Sequence, residues 1–203
     1  MDYEIHTTTE KLNSTGGMAI VGKILEKIGF CKNNTVQSPS HTHVLKSIVG
    51  LFTQGRTRFE EMDLVRNDSF FKESFNLNYV PAKETARLYL EKMIPEKPLI
   101  DSEVELSTIQ LLKSSKLTSI SVKGREYLPI DIDTSPMDNS KSHKEGVSRT
   151  YKQFDGFHPI FSYIGREGYM MHCELREGKQ HCQKGTPDFL TQTMAMISKL
   201  SIS

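Results

Sequence analysis

Leu128-Pro129-Ile130-Asp131-Ile132-Asp133 alternates apolar and polar residues, so a strand here carries Ile130 and Ile132 on one face and Asp131 and Asp133 on the other. Two carboxylates on one strand face, followed by Thr134-Ser135-Pro136, suit a hard cation such as Mg²⁺, which takes oxygen ligands and keeps several waters. Phosphodiester cleavage commonly uses two ions about 3.5–4 Å apart and draws its acids from several strands. This strand offers a first contribution only. The same pattern also describes the solvated face of an edge strand, and an Asp-x-Asp alone does not separate the two.

A second set of residues suits phosphate. The stretch Asn139–Gly156 carries Lys141, His143, Lys144, Arg149 and Lys152 against Glu145 and Asp155, with Tyr151, Phe154 and Phe157 interleaved. Cations beside aromatic rings can follow a phosphate backbone and stack on bases; a plain solvated hairpin has the same composition. On the helical segment Val80–Met93, Lys83 and Arg87 are four apart and share a face that could meet phosphate or a groove, or carry ordinary charge pairs. His172, Cys173, His181 and Cys182 are zinc-ligand types, but His172 and Cys173 are adjacent and point to opposite faces of a strand. Cys173 is expected in the core. No Gly-x-Gly-x-x-Gly, Walker loop or Gly-x-Ser-x-Gly elbow occurs.

The elements that must position these residues fall into two textures. Helices are predicted over Gly16–Gly29, with Met18, Val21, Ile24, Leu25 and Ile28 inward, and over Thr42–Gln54, with Val44, Leu45, Ile48, Val49 and Phe52 inward. A polar loop, Lys32–Ser40, joins them. Short helices follow over Glu60–Val65 and Asp68–Phe75, the latter capped by Asp68. Ala82–Met93 turns Ala86, Tyr89, Leu90 and Met93 inward and is stopped by Pro95 and Pro98. Asp101 then caps a helix to Lys113 with Val104, Leu106, Ile109 and Leu112 inward. At Lys123-Gly124 period 3.6 gives way to extended segments: Tyr127–Asp133, a polar stretch to Gly156, then Phe157–Ile164 and Tyr169–Leu175 as a hairpin. Thr186 and Pro187 open a last helix whose apolar face is Phe189, Leu190, Met194, Ile197 and Leu200.

The chain of 203 residues, 36% hydrophobic and 25% charged, has the composition of a folded protein. Lys+Arg 26 against Asp+Glu 25 leaves a net charge of +1, so a nucleic-acid surface must be regional. Three cysteines without Cys-x-x-Cys spacing fit a reducing cytoplasm. The absence of a bilayer-length apolar run or signal-peptide pattern leads to the expectation of a soluble, intracellular protein without a membrane partner.

Taken in order, Leu128–Pro136, Lys144-Glu145-Gly146-Val147-Ser148-Arg149-Thr150-Tyr151, Phe154-Asp155-Gly156-Phe157-His158-Pro159-Ile160-Phe161 and Cys173-Glu174-Leu175-Arg176-Glu177-Gly178-Lys179-Gln180-His181 resemble the bacterial insertion-sequence DDE transposases, whose catalytic domain is RNase H-like. Gly16-Gly17-Met18-Ala19 and Leu64-Val65-Arg66-Asn67-Asp68 resemble that family's helical N-terminal region. The likeness runs from about residue 10 to the end of the chain.

What the resemblance implies is an all-helical DNA-binding-type domain over 1–123, followed over 124–203 by the first three strands and first helix of an RNase H-like fold. It further implies binding of terminal inverted-repeat DNA and Mg²⁺-dependent strand cleavage and transfer by three acids. By register the first catalytic, metal-binding Asp falls on Asp133, with Asp131 the near alternative. Lys83, Arg87, Lys141, Lys144, Arg149 and Lys152 are the DNA-binding candidates. The family's second Asp and its Glu have no counterpart here, so the polypeptide is expected not to catalyse transposition alone. Loss of a neighbouring strand would leave the strand of Ile130 and Ile132 with an open edge, favouring poor solubility or a homo-oligomer. Two other classes remain: a non-catalytic DNA-binding module that inhibits a full-length transposase, and a small metal-dependent hydrolase built on Asp131 and Asp133. A small-molecule substrate is not expected under the leading reading.

Overall fold

The computed structural model describes residues 15–32, 39–93, 95 and 97–200. The fold is mixed, with seven α-helices and small antiparallel sheets among the described residues. It divides into two compact units, the first running to Glu103 and the second beginning at Val104.

In the first unit, α1 (Met18–Lys27), α2 (Pro39–Thr53), a 3₁₀ turn (Phe59–Glu61), α3 (Met62–Val65), α4 (Ser69–Phe75) and α5 (Lys83–Lys92) enclose a core of Met18, Val44, Leu51, Met62, Phe71 and Phe75. Asp68 caps α4 as its position predicts: its Oδ1 accepts from the Phe71 N–H at 3.1 Å. Ala86 and Met93 are buried, as the period of α5 predicts. Elsewhere the expected faces are rotated. Ile24 and Phe52 are exposed, whereas Gly22, His41, Ser47, Gly50 and Leu51 are buried. The cause is close approach: Gly22 meets the Ser74 carbonyl of α4, and Gly50 meets the Phe71 and Phe75 rings. Only residues without side-chain bulk fit there, so the inward stripe follows the neighbour rather than hydrophobicity. The loop expected over Lys32–Ser40 falls mostly outside the described residues, and Pro39 and Ser40 already belong to α2.

Helix α6 (Lys97–Lys113) starts a turn before the expected cap. Pro98 lies in its first turn, where a missing N–H costs little, and Asp101 is an interior residue whose carboxylate pairs with Lys97. Val104 and Leu106 are exposed, and the buried positions are Glu103, Ser107, Ile109 and Leu112.

Cys31 marks a chemical contrast among the three thiols. Its N–H donates to Glu103 Oε1 at 2.7 Å, and burial, reinforced by the Glu103 charge, pushes its thiol up to about 12 from about 9. Cys173 and Cys182 are exposed. The thiolate is the reactive form, so an alkylating reagent at pH 8 should label two cysteines in the native protein and the third only after unfolding, counted by mass spectrometry. The sign of the linkage is also set: the contribution to stability is present below pH 9 and is lost as pH rises towards 12.

Among the described residues, the second unit holds eight short strands. β1 (Ile120–Val122) and β2 (Arg125–Tyr127) form a hairpin turning at Lys123-Gly124. β3 (Ile130–Thr134), β7 (Ile160–Ile164) and β8 (Tyr169–Glu174) form an antiparallel sheet in that order. Thr134–Gly156, read from sequence as a polar stretch with no strands assigned, supplies β4 (Met137–Asp138), β5 (Ser148–Arg149) and most of β6 (Asp155–Phe157), which order β4-β6-β5. Strands of two or three residues are too short to leave a period in sequence. Within the β3-β7-β8 sheet β3 is an edge strand, its described partner being β7.

Helix α7 (Thr186–Ser198) covers one face of that sheet. Ile109, Leu112, Ile164, Met171, Met196 and Leu200 make the core beneath it. Its N-cap is Gly185 at φ +76°, not Thr186, and Pro187 stands in its first turn. The buried stripe is Phe189, Thr193 and Met196, with Leu190 and Met194 exposed. Thr193 fits because its hydroxyl bonds the Phe189 carbonyl at 3.0 Å and Ser162 Oγ at 3.3 Å.

Candidate functional site

Cross-strand pairing fixes the two aspartates. Asp131 faces Tyr163 and Asp133 faces Phe161 on β7. Alternation leaves both carboxylates exposed while Ile130 and Ile132 are half-buried on the α7 side, as the sequence pattern predicts. The next strand continues the rule. His172 stacks on Phe189 of α7, with ring centroids 4.9 Å apart and its Nε2 3.3 Å from Gln192 Oε1, whereas Cys173 pairs with Phe161 on the other face. Cys173 is therefore exposed and not a core residue.

Asp133 and Thr134 end β3 between two open cavities. One, of about 550 Å³, runs from Ile132 and Ile160 to Thr186, Pro187 and Leu190 at the start of α7. The other, of about 580 Å³, is walled by Arg149, Thr150 and Tyr151 on one side and by His158 and Gly178–Cys182 on the other. Asp133, Thr134 and Cys182 line both. Among the residues lining these two cavities, Asp133 is the only carboxylate. Asp131 lines neither.

The predicted cations divide in the same way. Arg149 reaches the larger cavity, held by Asp155 at 3.2 Å and by the Gln153 carbonyl at 2.6 Å. Lys152 lies over the exposed Tyr151 ring, 5.9 Å from its centroid. Lys141 and Lys144 are exposed on the loop after β4 and line neither cavity. That loop is anchored by Asp138, whose carboxyl is held below the usual range chiefly by hydrogen bonds from the Ser140 hydroxyl and N–H. In the first unit, Lys83 pairs with Asp63 at 3.8 Å. Arg87 is gripped by Glu84 at 3.0 Å and by Glu91, and these carboxylates raise its pKa, the Glu84 hydrogen bond most. To meet a phosphate, Arg87 must exchange two carboxylates for it.

Several cavity residues carry no signal in composition or period. His158 is buried, with Nδ1 3.0 Å from the Gln180 carbonyl and its ring 5.3 Å from Tyr151. Lys179 pairs with Glu177 at 3.5 Å, and its N–H bonds Ser148 Oγ at 2.9 Å. These residues come together because the segment after β8 folds back on the small sheet: the His158 N–H donates to the Arg176 carbonyl and the Gly178 N–H to that of Gly146. The only sequence sign of them is their membership in the ordered blocks behind the family resemblance.

Among the described residues, no helix is long and apolar enough to cross a membrane and no group of three or more His, Cys, Asp or Glu side chains is placed to hold a metal ion. No family model, no curated protein and no solved structure matches this chain.

Proposed function

We propose that this chain is a DDE transposase-type protein of a mobile element that binds DNA ends, with Asp133 as the acid of the first strand. The observation that carries the reading is the position of Asp133, on the exposed face of β3 and lining a cavity that Arg149 and Tyr151 wall on one side and Lys179 on the other. A carboxylate beside cations and an exposed ring suits a sugar–phosphate chain passing a divalent ion. The order β3, β7, β8, α7 supports assignment to the opening of an RNase H-like sheet. Asp133 is a hard oxygen donor, and Mg²⁺ is commonly held by one or two carboxylates with retained waters. When bound, the ion would supply electrostatic stabilisation of a phosphoryl oxygen. Asp133 would orient it, Arg149 and Lys179 would hold the backbone, and Tyr151 would stack a base.

One carboxylate does not fix two ions in line, so we propose DNA binding without strand cleavage by these residues alone. The test is fluorescence anisotropy on a mixed-sequence 40-bp duplex between 50 and about 200 mM salt, with nicking assayed in Mn²⁺. Affinity should fall steeply with salt, since phosphate contacts release counterions. Asp133→Ala should keep DNA affinity within about twofold and abolish the Mn²⁺-dependent part of binding. Absence of binding at the lowest salt sinks the reading, and metal-dependent nicking that Asp133→Ala removes overturns the non-cleaving part of it.

A further inference from the structure

The hairpin of β1 and β2 projects from the second unit, and the DNA reading leaves it unused. Every residue from Ile120 to Tyr127 is exposed. Its base is nevertheless fixed. Leu117 and Leu128 pack against the core that holds Ile164 and Met171. The Thr118 N–H donates to Glu167 Oε2 at 3.0 Å, its hydroxyl donates to the same carboxylate, and the Arg166 N–H donates to the Thr118 carbonyl at 3.2 Å. At the tip, Lys123 and Gly124 have φ of +52° and +76°, positive at both central residues as a type I′ turn requires.

Strand pairing sorts the side chains of this ribbon. On one face Ser121 lies opposite Glu126, and hydrogen bonds from the Ser119 and Ser121 hydroxyls hold that carboxyl below the usual range. This face is satisfied from within. On the other, Ile120 lies opposite Tyr127 and Val122 opposite Arg125. Three apolar side chains, 38–48% exposed, thus stand in water beside a guanidinium. Neither Arg125 nor Lys123 makes an ion pair among the described residues.

A lone two-stranded hairpin is marginally stable in water, so an exposed apolar row on one is a surface for a partner. Charge selects the partner. The row is bordered by cations only, so a second copy docked face to face would set like charges together, whereas a polyanion answers both. Size selects further. A ribbon with side chains on both faces is about 10 Å thick, which the major groove of DNA, about 12 Å wide, admits and the minor groove, about 6 Å wide, does not. Strands of three residues reach about 10 Å, close to the groove's depth of about 8.5 Å.

We propose that the β1–β2 hairpin enters the major groove of duplex DNA, with Lys123 and Arg125 on phosphates and Ile120, Val122 and Tyr127 towards the base edges. The inference rests on the DNA reading and adds to it an element outside the two cavities at Asp133.

The test uses the full chain and the same duplex, followed by anisotropy over the salt series, with Arg125→Ala and Lys123→Gly as variants. A second duplex carries glucosylated hydroxymethyl groups on its cytosines, which fill the major groove. Arg125→Ala should lower affinity about tenfold and Lys123→Gly about threefold, each reducing the salt slope by about one, with no fall in melting temperature. Glucosylation should weaken the wild type severalfold and Arg125→Ala far less, since the two changes remove the same contact. Wild-type affinity in both variants overturns the proposal and leaves the DNA reading standing. No wild-type binding at the lowest salt removes the DNA reading and the hairpin's part in it. Equal losses on the glucosylated duplex for wild type and Arg125→Ala overturn the placement in the major groove. A dimer in sedimentation that Val122→Ser dissociates, with DNA affinity unchanged, gives the face to a second copy and also overturns the proposal. Lys123→Gly eases the backbone as it removes the charge, so the outcome is readable even if Arg125→Ala does not fold.

Discussion

Gly22→Ala should melt the helical unit about 15 °C below wild type. The added Cβ would stand 1.6 Å from the Ser74 carbonyl oxygen and 2.7 Å from its carbon. A backbone carbonyl in the last turn of a packed helix cannot rotate aside, so α1 must withdraw from α4 and take Met18, Val21 and Leu25 with it. Replacing a mid-helix glycine by alanine gains about 1 kcal/mol of helix propensity, which opposes the loss but is the smaller term. Overpacking costs about 1–3 kcal/mol when side chains can adjust and more when backbone must move. A net loss of about 3 kcal/mol corresponds to the stated shift for a unit of this size. Gly50→Ala is the internal comparison: its Cβ would meet Phe71 and Phe75 ring atoms at 2.6–2.8 Å, and rings can shift where a carbonyl cannot. Its penalty should be smaller. Thermal melts of both variants by far-UV circular dichroism decide the matter; a Gly22→Ala protein as stable as wild type refutes the packing described for α1.

Gly178→Ala should damage the second unit and the candidate site together. This glycine is not in the left-handed region, so alanine meets no backbone strain; the cost is collision alone. Its Cβ would lie 2.1 Å from the Ser148 carbonyl oxygen and 2.3 Å from that of Gly156. Both belong to strands of the small sheet, and relief means lifting the segment after β8 away from them. That movement breaks the Gly178–Gly146 and Lys179–Ser148 hydrogen bonds and draws the Gln180 carbonyl from His158. We expect a loss of about 3 kcal/mol and at least a tenfold fall in DNA affinity, since Lys179 leaves the cavity of Asp133. Gly168→Ala, at φ +70° with nothing within 4 Å, is the control: its strain is about 1 kcal/mol and its DNA affinity should be unchanged. Equal effects of the two substitutions would count against the cavity wall as drawn.

Both glycines show where sequence reading stops. The existence of α1, α2, α4 and α5 is legible from period and caps, because Asp68 and the three-and-four spacing act locally. Their inward faces are less so: Gly22, Ser47, Gly50 and Thr193 are buried while Ile24, Phe52, Leu190 and Met194 are not. Which stripe turns inward depends on how closely a partner approaches, and that partner lies dozens of residues away. At the candidate site the exposed face of β3 follows from strict alternation, whereas the cavity around Asp133 does not. Its walls come from segments 16–49 residues downstream, joined by strands of two or three residues and by hydrogen bonds from single loop amides.

The irregularity between Ser162 and Tyr163 gives the sheet a fixed phase. On one side of it Ser162 faces His172; on the other Tyr163 faces Met170, which leaves Met171 as the extra residue, buried under α7. Sliding β8 past β7 by one position would have to carry this dislocation along the strand and expel Met171 from its pocket. Since β3 pairs with the same β7, a one-step slip there would turn Asp131 and Asp133 towards the α7 side and bring Ile130 and Ile132 out. The kink therefore works as a vernier mark: misaligned pairings are penalised during assembly, and the carboxylates emerge on the open side of the sheet.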